Sequence, residues 1–143
     1  RGYGIGCGFV VNGNIVNGHL GLAGEAGYMG INFNRHKKGE EGRGTLEYSA
    51  GVESVVRYMK ERLYEFPESP LNENSNYMDV FEAYKHGDEL ADWAVSKVAW
   101  MLGYGIANII YIINPDCIII GPDYPDTEDF INACLERANR ADC

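Results

Sequence analysis

The chain opens with RGYGIGCGFVVNGNIV, residues 1–16, in which glycine alternates with larger residues and two short β-branched runs follow. In a strand the alternating glycines would share one face, because successive side chains point to opposite faces. A face without side chains can lie against a ligand, or it can mark close backbone packing or a bulge. Asn12-Gly13 suits a type I′ turn, since both central positions require positive φ. The stretch predicts a glycine-lined strand that leads into a β-hairpin.

The composition describes a globular chain of ordinary domain size. Its 143 residues are 45% hydrophobic and 12% aromatic, which is enough for a real core. The formal net charge of -9 repels phosphate backbones, so we expect no direct nucleic-acid binding by this segment. No apolar run reaches the ~18 residues of a membrane span, and no basic start precedes an apolar signal segment. We expect a protein without a membrane partner.

The four cysteines stand singly in the sequence, without CxxC spacing. This pattern favours reduced thiols in a cytoplasmic protein over a disulfide framework or a zinc ribbon. The histidines, His19, His36 and His86, lie in loop-like contexts without the spacing of metal ligands. The chain begins at Arg1 rather than Met, so we expect a piece of a longer polypeptide.

The remaining sequence predicts mainly helices. Glycine-rich and polar loops over residues 18–30 and 34–44 precede them. Apolar periodicity and capping residues predict helices over residues 52–66, over residues 77–85, after Asp88 as far as Asn114-Pro115-Asp116, and after Thr127. Gly103 and Gly105 would soften the long helix or let another helix approach closely. Cys117-Ile118-Ile119-Ile120 is wholly apolar, as in a buried parallel strand. The order of these elements predicts an α/β layer protein.

Three segments together resemble the ROK family of repressors, open reading frames and sugar kinases. They are Gly4-Ile5-Gly6-Cys7-Gly8 with its hairpin, Ala23-Gly24-Glu25-Ala26-Gly27-Tyr28, and Gly105-Ile106-Ala107-Asn108 through Asn114 to Gly121. Their order and spacing, with Gly44-Thr45-Leu46-Glu47 between them, cover nearly the whole chain. The resemblance implies an α/β fold, the actin-like (ribonuclease H-like) ATPase architecture. Residues 1–143 would then form a single domain, most of the carboxyl-terminal lobe of a ROK-type protein.

The resemblance also implies roles for individual residues. Glu25 and Glu47 would bind sugar hydroxyls, which suits carboxylates because two acceptor oxygens can bind vicinal hydroxyls. Tyr28 would stand where the family has a histidine that touches the sugar. The backbone at Gly4, Gly6 and Gly8 would face the nucleotide phosphates, if a nucleotide is bound. Each glutamate also has a plainer role open to it: Glu25 as a solvated loop charge, and Glu47 as a carboxylate that favours the helix dipole.

The sequence departs from the family pattern at a structural zinc site. The four positions that would hold zinc read Tyr28, Lys38, Glu40 and Thr45. Lysine and threonine are not competent zinc ligands, so we expect no zinc. A further departure is Pro122, which removes a backbone donor where the family has a glycine near the adenine site. The family's catalytic aspartate belongs to a segment upstream of this chain, so we expect no catalytic residue here.

These departures favour a sugar-sensing, non-catalytic effector-binding and dimerisation lobe of a ROK transcriptional regulator of carbohydrate metabolism. Such a protein would act as a cytoplasmic homodimer, and it would contact DNA through a separate amino-terminal helix-turn-helix. The alternative is half of a sugar kinase for a hexose or N-acetylhexosamine, and only a kinase would require ATP and Mg²⁺. A third hypothesis is a module that only mediates assembly.

Overall fold

A computed structural model describes residues 4–31 and 44–139 of the chain. The predicted hairpin is confirmed within it: β1 (Val10–Val11) pairs antiparallel with β2 (Asn14–Ile15), and Val10 lies opposite Ile15. Asn12 and Gly13 both have positive φ, at 51° and 77°. These values are the ones that a type I′ turn requires, which explains the asparagine and the glycine at its centre.

The rest of the described chain is mainly helical. Its α-helices are α1 (Thr45–Ala50), α2 (Ser54–Arg62), α3 (Tyr77–Lys85), α4 (Glu89–Ile113) and α5 (Glu128–Asn139), with 3-10 turns at Ala26–Tyr28 and Leu63–Glu65. The prediction for α3 is confirmed to the residue. The helix predicted over residues 52–66 is shorter, because the α-helix ends at Arg62 and the chain tightens into a 3-10 turn before Pro67.

Helix α4 is the centre of the molecule and packs against all four other α-helices. Its predicted start is confirmed, because Asp88 Oδ1 accepts a hydrogen bond of 2.8 Å from Ala91 N. It ends at Asn114, which adopts the left-handed conformation typical of a helix carboxyl terminus. By length and mean hydropathy α4 would suffice to cross a bilayer, but core helices of soluble proteins pass the same test. A continuous stripe of α4, from Leu90 to Ala107, is buried inside the protein.

A close helix crossing is confirmed at Gly105. A β-carbon placed there would lie 2.6 Å from Leu46 Cδ2 on α1, closer than real β-carbon contacts allow. Leu46 is only 1% exposed, so α1 reaches the core through this gap in the α4 surface. The predicted cap of α5 is also confirmed, because Thr127 Oγ1 accepts a hydrogen bond of 3.3 Å from Phe130 N.

The glycine-lined strand predicted for the start of the chain does not form over the described residues 4–9. Exposure alternates along the segment, but it joins its neighbour by isolated hydrogen bonds and not by a β-ladder. Cys7 N donates to Gly24 O at 2.7 Å, and Gly27 N donates to Ile5 O at 2.9 Å. The facing segment cannot continue the pairing, because Gly24 has a φ of 96° and a 3-10 turn begins at Ala26.

The buried strand predicted at Cys117-Ile118-Ile119-Ile120 is also wrong for this structure. The segment is irregular, and Ile119 is 89% exposed. An apolar run becomes a strand only where a neighbouring strand satisfies its backbone, and within residues 4–31 and 44–139 the hairpin is the only β-sheet. The described part is therefore more helical than the predicted α/β layers.

Candidate functional site

Glu47 lies in the first turn of α1, where its half-buried carboxylate rests against two glycine backbones. A β-carbon on Gly4 would lie 2.6 Å from Glu47 Oε2, and one on Gly27 would lie 3.1 Å from the same oxygen. A larger residue at Gly4 would therefore displace the carboxylate. The two glycines let the Glu47 carboxylate lie directly against the backbone, so the structure brings Gly4 and Glu47 close together.

The turn that contains Gly27 also carries the other two predicted sugar contacts. Glu25 precedes the 3-10 turn and is exposed, and its side chain does not cap the turn. Tyr28 ends the same turn and is 62% exposed. Gly27 itself is buried, with its N–H bound to Ile5 O, so the turn is attached to the glycine-rich segment. The structure thus places Glu47 beside the turn of Glu25 and Tyr28, and their sugar-binding roles stay predictions.

Gly6 and Gly8 line a groove of about 710 Å³ on the same glycine-rich segment. Open space lies over both, because a β-carbon on either would meet nothing within 4 Å. The opposite wall is the carboxyl end of α4 with the irregular segment after it, including Ile113, Asn114, Asp116, Cys117 and Ile119. Gly4 is not part of this lining. The lining begins at Gly6, about 7 Å of extended chain from Gly4, so the groove and the Glu47 carboxylate are neighbouring features.

The electrostatics of the groove are unfavourable for anions. Helix α4 presents its carboxyl end, where the helix dipole is negative, and Asp116 adds a carboxylate. Among the described residues that line the groove, none is lysine or arginine. Burial raises the pKa of the Cys7 thiol, which also lines the groove, and this keeps it in the poorly nucleophilic protonated form.

Thr45 is buried at the start of α1, and both hydrogen-bonding functions of its hydroxyl are engaged. Its Oγ1 accepts a hydrogen bond of 2.8 Å from Ile31 N and donates one of 2.7 Å to Met29 O. The sequence alone placed Thr45 in a segment of the family resemblance and at a position unable to bind zinc, but predicted no structural role for its hydroxyl. The signal for this role is glycine before a helix with threonine as its first residue, where a small residue and a hydroxyl allow the preceding chain to pack closely.

The zinc ligands implied by the family resemblance do not fit this arrangement. Thr45 Oγ1 already serves Ile31 and Met29, and zinc prefers thiolate or imidazole donors. Tyr28 carries an exposed phenol, while Lys38 and Glu40 lie outside the described residues. No group of three metal-binding side chains occurs within the described part of the chain. That the protein binds no zinc stays a prediction.

Comparison with known proteins identifies one family. The ROK family profile matches residues 2–141. A glucokinase of Halalkalibacterium halodurans is 35% identical over 127 residues, which are 84% of this chain and 38% of that protein. A xylose repressor of Caldicellulosiruptor bescii is 29% identical over 125 residues, 84% of this chain and 31% of the repressor.

The structural comparison agrees. A ROK family transcriptional regulator, a homolog of the E. coli MLC protein, matches with a TM-score of 0.82 and 26% identity. The match covers 97% of this chain and 36% of the regulator, so the chain spans only part of the length of these relatives. The likeness to ROK structures implies the actin-like ATPase fold, of which the described residues form a mainly helical part. With a family match along nearly its whole length, the chain belongs to the ROK family.

Proposed function

We propose that this chain is the sugar-sensing, non-catalytic effector-binding and dimerisation lobe of a ROK transcriptional regulator. The observation that carries the sugar-binding part of the proposal is the Glu47 carboxylate, which lies against Gly4 and Gly27, beside the turn of Glu25 and Tyr28. Carboxylates accept charge-assisted hydrogen bonds from hydroxyl groups, so a carboxylate in this place suits a polyol. Similarity to xylose repressors and to an MLC homolog supports the regulatory role.

The character of the groove supports a sensor over a kinase. A nucleotide phosphate near Gly6 and Gly8 would face Asp116 and the carboxyl end of α4, with no lysine or arginine among the described lining residues. A sensor tolerates such a groove, whereas phosphoryl transfer requires cations that stabilise the phosphate charge. DNA binding through another segment, a homodimer and a cytoplasmic location belong to the same proposal for the whole protein.

A sugar kinase is the second candidate, and the 35% identity to a glucokinase favours it. In that case residues outside this chain would supply the base and the first phosphate loop, and the protein would require ATP with Mg²⁺. Glu25 and Glu47 would orient the sugar in either protein, so these two residues do not separate the hypotheses. Sugar-dependent conversion of ATP to ADP does separate them, because only a kinase would catalyse it.

The test uses the complete polypeptide that contains this chain. Calorimetric titration with glucose, xylose and N-acetylglucosamine gives the affinity for each sugar. We expect Glu47→Gln to weaken binding of the preferred sugar at least about tenfold, because a charged acceptor is lost without a change in size. The matched control is Glu53→Gln. Glu53 is exposed, and its side chain makes no capping hydrogen bond to α2, so this variant should bind sugar as the wild type does.

The same preparation is then incubated with each sugar and Mg-ATP. The regulator hypothesis predicts sugar binding without sugar-dependent ADP formation. Sugar-dependent ADP formation would establish the kinase instead. If none of the sugars binds to the wild type at millimolar concentration, the sugar-sensing hypothesis fails and the assembly module gains support.

A further inference from the structure

Thr45 joins two segments that are distant in sequence but adjacent at the candidate sugar site. Its hydroxyl bonds Ile31 N and Met29 O, and Leu46 N donates a further hydrogen bond of 3.2 Å to Met29 O. These three bonds attach residues 29–31 to the first turn of α1. We propose that Thr45 is a positioning residue that sets the Glu47 carboxylate against the turn of Glu25 and Tyr28 without a metal ion.

The packing beside these bonds is equally close. A β-carbon on Gly44 would lie 2.0 Å from Gly27 O and 2.3 Å from Tyr28 Cα, so the start of α1 lies directly on the backbone of the turn. Thr45 is only 8% exposed. Backbone contact at Gly44 and hydrogen bonding at Thr45 therefore act on successive residues, and together they fix the turn relative to α1.

The consequence for Glu47 follows from the helix. Thr45 and Glu47 lie two residues apart in the first turn of α1, where the helical backbone sets the place of one residue relative to the other. Fixing Thr45 to Met29 and Ile31 thus fixes the Glu47 backbone relative to Glu25 and Tyr28. A ligand that binds both elements need not order them first, and such preorganisation raises affinity.

The Thr45 bonds also account for the disagreement with the zinc pattern. The resemblance assigns position 45 to a zinc ligand, yet here the side chain makes its cross-link by hydrogen bonds. The inference rests on the proposed function for its consequence in sugar binding, whereas the cross-link itself can be measured without any sugar.

The first experiment measures amide exchange of Ile31 in the complete polypeptide. Thr45→Val keeps the shape of the side chain and removes the hydroxyl, and Thr45→Ser keeps the hydroxyl. We expect exchange at Ile31 to accelerate at least tenfold in Thr45→Val and to stay within threefold of the wild type in Thr45→Ser. Unchanged exchange in Thr45→Val would overturn the proposal, and a chelator should leave the wild-type value unaltered.

The second experiment measures sugar affinity by the same calorimetric titration. Thr45→Val should weaken binding at least tenfold, and Thr45→Ser should restore it. Ser75→Ala is the matched control, because Ser75 is 9% exposed and its hydroxyl accepts a hydrogen bond of 3.0 Å from Asn72 N, in the segment before α3 and not on α1. The control should lose stability but retain the wild-type affinity.

A double-mutant cycle separates positioning from a general structural role. If Thr45 acts through Glu47, adding Thr45→Val to Glu47→Gln should weaken binding by less than threefold further. Fully additive losses would overturn the positioning role. If the wild type binds no sugar, the proposed function fails, and the Ile31 exchange still decides whether the Thr45 cross-link exists.

Discussion

At the scale of single residues, Cys134 shows how burial shifts the pKa of an ionisable group. The thiol lies on α5 within the core, is 0% exposed, and burial raises its pKa from 9.0 to about 12. The protonated thiol is therefore the form that the folded state favours. The stability that the folded state gains from this raised pKa is complete below the unfolded-state pKa near 9. It is lost as the pH rises toward 12.

We expect the free energy of unfolding to decrease by about 1 kcal/mol between pH 9 and pH 10 through this thiol. Cys134→Ala should show a shallower decrease, measured by urea unfolding at pH 8, 9 and 10. Burial also raises the pKa of Tyr124, and Cys134 adds to that shift, so Cys134→Ala removes part of the Tyr124 effect as well. Cys117→Ala, at an exposed cysteine, is the control and should keep the wild-type slope. Equal slopes in the wild type and Cys134→Ala would contradict the prediction.

At the scale of elements, the start of α4 depends on one side chain. Asp88 Oδ1 accepts from Ala91 N and satisfies one of the N–H groups that the first turn leaves without a helical partner. Asp88→Ala should lower the free energy of unfolding by about 1 kcal/mol, because α4 packs against all the other α-helices. Asp88→Asn should stay close to the wild type, since asparagine caps as well as aspartate. Equal losses in both variants in chemical denaturation would exclude the capping role.

The outer faces of α2 and α4 are joined by alternating cations and aromatic rings. The Arg57 guanidinium lies 4.4 Å from the centre of the Tyr58 ring, and Lys97 Nζ lies 4.3 Å from the same ring. Glu61 pairs with both cations. Each exposed contact of this kind stabilises the protein only slightly. Together the charged side chains cover the apolar seam between α2 and α4.

At the scale of the whole molecule, the core and one apolar surface have different roles. The core surrounds α4, whereas large apolar side chains remain exposed on the hairpin and after α4, including Val10, Ile15, Ile112 and Ile119. Exposed apolar groups in such number are typical of surfaces that another protein segment covers.

We expect Ile119→Thr to change the free energy of unfolding of the isolated chain by less than about 0.5 kcal/mol, because the side chain is 89% exposed. The same substitution at Ile106, which is 7% exposed on α4, should cost about 2 kcal/mol or more. Denaturant unfolding of the two variants side by side measures the difference. A comparable loss at Ile119 would contradict the exposure of this side chain in the structure.

The sequence by itself determined the features that depend on near neighbours. The Asn12-Gly13 turn, the Asp88 cap, the end of α4 at Asn114 and the full extent of α3 follow from local backbone requirements and apolar periodicity. The family, too, was predicted from motif order, and the family match over residues 2–141 confirms it.

Only the tertiary structure decided which distant segments meet. It seated Glu47 on Gly4 and Gly27, engaged Thr45 with Met29 and Ile31, and left Ile119 in solvent where an apolar run predicted burial. The spacing of residues along a chain fixes contacts within a turn or a helix. Contacts between separate segments depend on how whole elements pack, and an apolar residue is buried only where a neighbouring element is present to cover it.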